Sequence, residues 1–261
     1  MELTQTRQKN LYRKAKNLIT RYQKKGCGFI RYNQKTLISL DISNSCPKEE
    51  TGKPCKYCYK ADLYRQYGNS GFECGKMYYK GGYKRETLIT FLREWKKLLK
   101  QYGKEDFSVR LFSMGDYKQE HKDFWRTVLS VFKQEKVKVH AITKQYFIIS
   151  DLADLLNCIN LSVDSIHNEN SIESAILAKN TLELTTRVKI RSVVLNNSDL
   201  SLGHKTDIVT VYHGNKREGI DTYRTTHKSY IALVNKLDNE LFHGKTCCTK
   251  NGKCIDCKRC Q

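Results

Sequence analysis

Proline is almost missing from this 261-residue sequence: Pro47 and Pro54 are the only two. Both fall in one stretch, CPKEETGKPCKYCYK, residues 46 to 60. Proline fixes φ and removes a donor, so that loop is expected to be stiff and non-helical. Acids are scarce at the amino end, and apart from Glu2 none precedes Asp41. No run of eighteen apolar residues occurs, which argues against a membrane-spanning helix. No apolar stretch follows the first charges, so no secretory leader is expected. Histidine is absent before His121, which denies an early metal site its commonest nitrogen ligand. No repeat or low-complexity linker divides the chain.

What the sequence has in excess is positive charge and sulfur. The formal net charge is +20, from 47 Lys and Arg against 27 Asp and Glu. A charge of that size seeks polyanions, so nucleic acid is the natural partner class. A plainly solvated basic surface fits the same numbers. The cysteines number eleven. We expect a cytoplasmic protein, in which thiols stay reduced and clustered cysteines point to metal or redox chemistry.

The elements are legible from periodicity. Leu11, Ala15, Leu18 and Tyr22 recur at helical spacing among Arg and Lys, which predicts a basic amphipathic helix within an extension spanning 1–35. Its outer face suits a polyanion or plain solvent. Strands are then expected at TLISLDI (36–42), FSVRLFSMGD (107–116), VKVHAIT (137–143), CINLSVDS (158–165), RVKIRSVVLN (187–196) and DIVTVYH (207–213). Helices are expected between most of them, at 86–102, 121–136, 151–157 and 171–183, the last capped by Ser171, and a closing helix at 228–242. Alternation of this kind predicts an α/β fold with a parallel sheet over 36–243. Ligands of such sheets bind at the strands' carboxyl ends. There the sequence gathers the cysteine loop, then Ser113, Gly115 and Asp116, then Thr143 and Lys144, then Asp164 and Ser165.

Cys46, Cys55 and Cys58 are three soft ligands at the end of the first of these strands. Thiolates suit zinc or iron–sulfur clusters. A structural zinc site needs a fourth ligand, for which Cys27 and Cys74 are the options. A three-thiolate iron–sulfur cluster leaves one iron open. The tail, 244–261, reads KTCCTKNGKCIDCKRCQ from Lys245. Cys248, Cys254, Cys257 and Cys260 are expected to bind a second 4Fe–4S cluster or zinc, with Cys247 as a spare.

Cys-x8-Cys-Lys-Tyr-Cys, placed after the first strand of a six-fold β/α pattern, resembles the cysteine motif of the radical S-adenosylmethionine (SAM) superfamily. The usual signature there is C-x3-C-x-aromatic-C. The longer first gap is similar to that of phage-associated members, whose motif also runs into Cys-Tyr, as Cys58-Tyr59 does here. LFSMGD and HAITK also look like segments of theirs, and the resemblance covers 36 to about 212. It implies a partial (β/α)6 barrel, with a 4Fe–4S cluster on Cys46, Cys55 and Cys58. It implies SAM chelated to the open iron, an electron donor, and reductive cleavage to methionine and a 5′-deoxyadenosyl radical. Tyr57 would lie along the adenine. Ser113, Gly115 and Asp116 match the Gly-rich turn that binds the methionine ammonium, with one glycine and an Asp where Glu is usual. Ser162, Asp164 and Arg191 are candidates for ribose and carboxylate contacts, or polar groups that finish a strand.

Two functions are therefore expected from the sequence. One is a radical SAM enzyme acting on nucleic acid or a nucleotide. The other is a non-enzymatic nucleic-acid-binding protein stapled by zinc. No membrane partner is expected for either.

Overall fold

The computed structural model describes residues 4–33, 36–40, 83–104, 107–112, 116–164, 171–211 and 227–247, without the side chains of 227–231. It is an α/β structure built on one seven-stranded sheet with order β1 to β7 in sequence. The strands are β1 (Ile30–Asn33), β2 (Leu37–Leu40), β3 (Ser108–Leu111), β4 (Lys138–Thr143), β5 (Cys158–Asp164), β6 (Arg187–Val194) and β7 (Ile208–Val211). Strands β2 to β7 are mutually parallel, and each corresponds to a strand expected from the sequence.

β1 was not legible in advance. It is an antiparallel edge strand, with Ile30 opposite Leu40 and Asn33 opposite Leu37. The Asn33 side-chain oxygen accepts the Thr36 N–H at 3.3 Å, and Leu37 adopts φ +66° as the chain turns back.

The helices are α1 (Gln5–Gln23), α2 (Arg85–Lys100), α3 (Lys122–Gln134), α4 (Ile172–Leu182), α5 (Leu200–His204) and α6 (His227–Leu237). α1 begins where the Thr4 hydroxyl accepts the Arg7 N–H and buries Leu11, Ala15, Ile19 and Tyr22. Leu18 is only half-buried, one position off the stripe expected from the sequence. The Ser171 cap of α4 is present, its hydroxyl accepting the Ser174 N–H at 3.2 Å. Where a short α-helix is expected over 151–157, the backbone is a 3-10 helix over Ile148–Leu155. α6 widens into a π turn, Asp238–Phe242, and stops at His243 and Gly244, both left-handed.

Strand order that never reverses has a consequence. Right-handed crossovers stepping steadily in one direction leave all their helices on one face of the sheet. α3 packs on β4, α4 on β5 and β6, α5 on β6, and α1 on β1 and β2. The strand residues of that face are apolar and buried: Ile38 and Leu40, Val109 and Leu111, Val139 and Ala141, Ile159, Leu161 and Val163, Val188 and Ile190. Trp95, Phe91, Trp125 and Phe132 of α2 and α3 are fully buried against this core, and each such side chain contributes roughly 1.5–3 kcal/mol on burial. Val194, Val209 and Val211 continue the layer with Val234, Leu237 and Phe242.

Phe112 adds one irregularity. Alternation would turn it to the opposite face from Leu111. Its φ of +59° breaks the alternation. Its ring instead meets Trp125 edge-on at 5.5 Å and Tyr117 at 5.9 Å. A bulky residue in the left-handed region costs of order 1–3 kcal/mol, which this aromatic packing offsets. No described helix is long and apolar enough to cross a membrane.

Candidate functional site

The other face of the sheet has a different composition. Lateral pairing joins Arg31 to Ser39, Ser39 to Arg110, Arg110 to His140, His140 to Cys158 and Cys158 to Arg187. These six residues form one row across the sheet, on the face against which no described helix packs. Side chains two residues apart along a strand share a face, so Lys138, Asn160, Lys189, Ser162, Arg191, Asp164 and Thr210 belong to it too. Every Lys and Arg in the described strands lies on this face. Asp164 is the only acid among those strands.

The centre of this face is enclosed. His140 is 4% exposed and Asn160 is fully buried. Burial, then the charges of Arg110 and Arg191, push the His140 imidazole down to about 3, so it is neutral at physiological pH. Among the described residues, His140 Nδ1, Arg110 Nε and Arg31 Nη2 are buried and have no hydrogen-bond partner. The Asn160 amide donates to the Ala141 carbonyl at 3.2 Å. Arg191 Nε donates to the Thr210 hydroxyl at 2.6 Å.

The carboxyl edge carries a second, denser network. Asp116 follows β3 and accepts from the Tyr117 N–H at 2.7 Å, the Lys144 N–H at 2.8 Å and the Thr143 hydroxyl. The Thr143 oxygen in turn accepts the Gln145 N–H at 2.9 Å. A carboxylate offers about four acceptor positions, so one on Asp116 Oδ2 is left by these three bonds. Burial pushes Asp116 up to about 6, against the pull of those hydrogen bonds and of the Lys144 charge. The Lys144 ammonium pairs with the Asp164 carboxylate, whose side chain is fully buried. The Tyr146 hydroxyl donates to the Ser162 carbonyl at 2.7 Å and ties the β4 exit to β5.

Of the residues proposed from sequence, Asp116, Ser162, Asp164 and Arg191 lie among the described ones. Lys144 links Asp116 to Asp164, through its backbone N–H and its ammonium respectively. Ser162 and Arg191 are lateral partners on β5 and β6. Cys46, Cys55, Tyr57, Cys58, Cys74, Ser113, Gly115, Cys248, Cys254, Cys257 and Cys260 lie outside the described residues. Cys27 is a fully buried core side chain, and burial pushes its thiol up to about 12. Cys247 is buried beside Ile208. Its N–H donates to the Val209 carbonyl at 2.6 Å, and Thr246 bridges Val209 in parallel. The start of the cysteine-rich tail thus runs along the edge of β7. Among the described residues no group of three His, Cys, Asp or Glu could hold a metal ion.

Sequence reasoning missed Arg110 and Lys189 altogether and gave His140 no role. The available signal was strand alternation: Arg110, His140 and Lys189 each break a run of buried apolar residues at the period of a strand. What made them a group was the lateral register. No protein-family model matches the chain, and no curated protein matches it.

Proposed function

We propose that this protein is a radical SAM enzyme, its sheet the wall of a partial (β/α)6 barrel and Cys46, Cys55 and Cys58 the ligands of a 4Fe–4S cluster. One observation carries the reading. The cysteine segment follows directly on β2 in sequence, whose carboxyl end lies beside that of β3, and β3 leads to the Asp116–Thr143–Lys144–Asp164 hydrogen-bond network. Radical chemistry on a parallel sheet is done at that edge, and the ordered polar groups there are the ones such a site needs.

The residues present fit the group. Three thiolates suit an iron–sulfur cluster, and the acceptor position left on Asp116 Oδ2 suits an ammonium. When bound, the cluster and SAM would supply hydrogen-atom abstraction, which the protein's own side chains cannot perform. The chain's part is to bind and orient. Asp116 holds the β3 and β4 exits at fixed spacing and presents one oxygen. Lys144 neutralises Asp164, so a ribose hydroxyl can share that carboxylate without burying a net charge. Arg191, held by Thr210, presents a cation at the next strand. Cys248, Cys254, Cys257 and Cys260 would bind a second cluster or zinc. The +20 charge supports a nucleotide or nucleic-acid substrate.

Anaerobic purification and reconstitution, followed by iron, sulfide and zinc analysis, test the reading. The expected result is iron and sulfide in equal amounts, with 5′-deoxyadenosine released when SAM and a reductant are added. A protein that holds zinc alone and leaves SAM intact is the zinc-stapled binding protein instead.

A further inference from the structure

We infer that the outward face of α1 is a docking surface for the sugar–phosphate backbone of a double-stranded nucleic acid, held by Lys9, Arg13, Lys16 and Lys24. The class of partner rests on the reading above, whereas the surface itself is independent of the cysteines. Three features carry this.

The first is one-sidedness. At about 3.6 residues per turn, Lys9, Arg13, Lys16, Thr20 and Lys24 fall on one stripe, opposite the buried Leu11, Ala15, Ile19 and Tyr22. All the residues of the stripe are exposed, and it runs about 22 Å along the helix axis. The second is a lack of counter-ions. The side chains of Lys9, Arg13, Lys16 and Lys24 make no hydrogen bond, ion pair or ring contact among the described residues. Cations on the flank of α1 differ. Arg21 pairs with Glu94, Arg7 donates to the Gln101 carbonyl at 3.4 Å, and the Lys14 ammonium lies 5.7 Å from the centre of the Tyr102 ring. α1 has no acid, whereas α2, α3 and α4 each carry at least one. Arg13 follows Lys9 by one helical turn and precedes Lys16 by another, and like charges at those spacings repel. The third is shape. An open groove of about 480 Å³ is lined by Lys16, Asn17, Thr20, Arg21, Lys24 and Lys25. The Asn17 amide and Thr20 hydroxyl add donors of the kind that phosphate oxygens accept.

The same facts select the occupant. A basic helix that lies on a lipid surface inserts its apolar face, but the apolar face of α1 is already packed on β1, β2 and α2. A protein partner brings an apolar core to its interface, and the stripe carries no apolar residue to meet it. A single strand is gripped by stacking its bases on aromatic rings, and the stripe has none. A duplex needs neither. It presents one negative charge per about 1.7 Å of its axis, so a straight row of cations meets phosphates at any register. Contacts of this kind fix position without reading sequence, so binding is expected to be indifferent to base composition.

The probe is a short fluorescein-labelled DNA duplex of arbitrary sequence, titrated with the full chain at several chloride concentrations and followed by anisotropy. The expected result is saturable binding that weakens steeply with salt. Lys9→Gln, Arg13→Gln, Lys16→Gln and Lys24→Gln together should weaken it at least about tenfold and reduce the slope of log K against log salt by about 3.6, or about 0.9 per phosphate contact. Arg13→Gln or Lys16→Gln alone should reduce the slope by about 0.9, and these single variants decide the matter if the fourfold variant fails to fold. Lys133→Gln, Lys136→Gln, Lys205→Gln and Lys236→Gln remove the same net charge from exposed positions on other elements and should leave most of the binding in place. Absence of saturable binding overturns the inference. So does a stripe variant that binds as wild type does, or a control variant that loses as much as the stripe variant. A single strand of equal length bound more tightly than the duplex also overturns it, as do phosphatidylserine vesicles that take the protein from the duplex through the same four side chains. Release of 5′-deoxyadenosine from SAM without DNA is measured on wild type and the stripe variant. It tests the reading above, and its absence from both leaves the anisotropy result to decide the role of α1.

Discussion

Replacing Lys144 with Met isolates the buried pair at the carboxyl edge. The Asp164 side chain is fully buried and that of Lys144 is 18% exposed. Methionine retains most of the lysine stem, so packing changes little. What is lost is the ammonium opposite a desolvated carboxylate. Removing one partner of a buried pair costs roughly 3–5 kcal/mol. The remaining exposure of Lys144 places this case near the lower end, about 3 kcal/mol, or more than a hundredfold in the folding equilibrium. The Lys144 N–H bond to Asp116 is made by backbone and survives the change.

Removing both charges behaves differently. Lys144→Met with Asp164→Asn leaves no buried ion and should return to within about 1 kcal/mol of wild type. The strong coupling then appears directly in a double-mutant cycle. Urea unfolding at pH 7.5, followed by circular dichroism, measures all four proteins. The reasoning is refuted if Lys144→Met lies within about 0.5 kcal/mol of wild type. It is equally refuted if the double variant is no more stable than Lys144→Met.

Two further predictions concern Asp116 and the closing helix. Burial pushes the folded Asp116 carboxyl up from an ordinary 3.8 to about 6. Its folded pKa is raised, so stability is full below about pH 4 and falls as pH rises to 6, by about 3 kcal/mol in all. The stability of Asp116→Asn relative to wild type should therefore rise between pH 4 and pH 7, by urea unfolding at both values, and a fall instead would reveal a cation against the carboxylate. Gly203→Ala would drive a Cβ into the buried Phe242 ring, so it should cost about 1–3 kcal/mol and lower the thermal midpoint.

The alternation of strands and helices was legible because each carries its own period. α2 and α3 bury one stripe of Leu, Phe and Trp, and β6 alternates cleanly between buried and more exposed residues. The Ser171 cap was equally local. β1 was hidden because four residues, IRYN, have no period to show, and their pairing with β2 depends on a reversal at Leu37. The 3-10 backbone at Ile148–Leu155 follows from packing against α3, which the apolar pattern alone does not encode. At the site, Asp116, Ser162, Asp164 and Arg191 were visible as polar residues at strand ends. Their linkage through Lys144 was not, because it depends on two strand exits arriving side by side. The row containing Arg110 and His140 was hidden for the same reason: its members lie 30 residues apart in sequence and meet only through register.

The steady, unreversed stacking of the strands separates two kinds of selective pressure. The apolar strand residues that hold the chain together lie on one face, and the charged strand residues lie on the other. Such a molecule can change the charges on one side of its sheet while the packing on the other side stays as it is, much as a wall can be repainted without moving its studs.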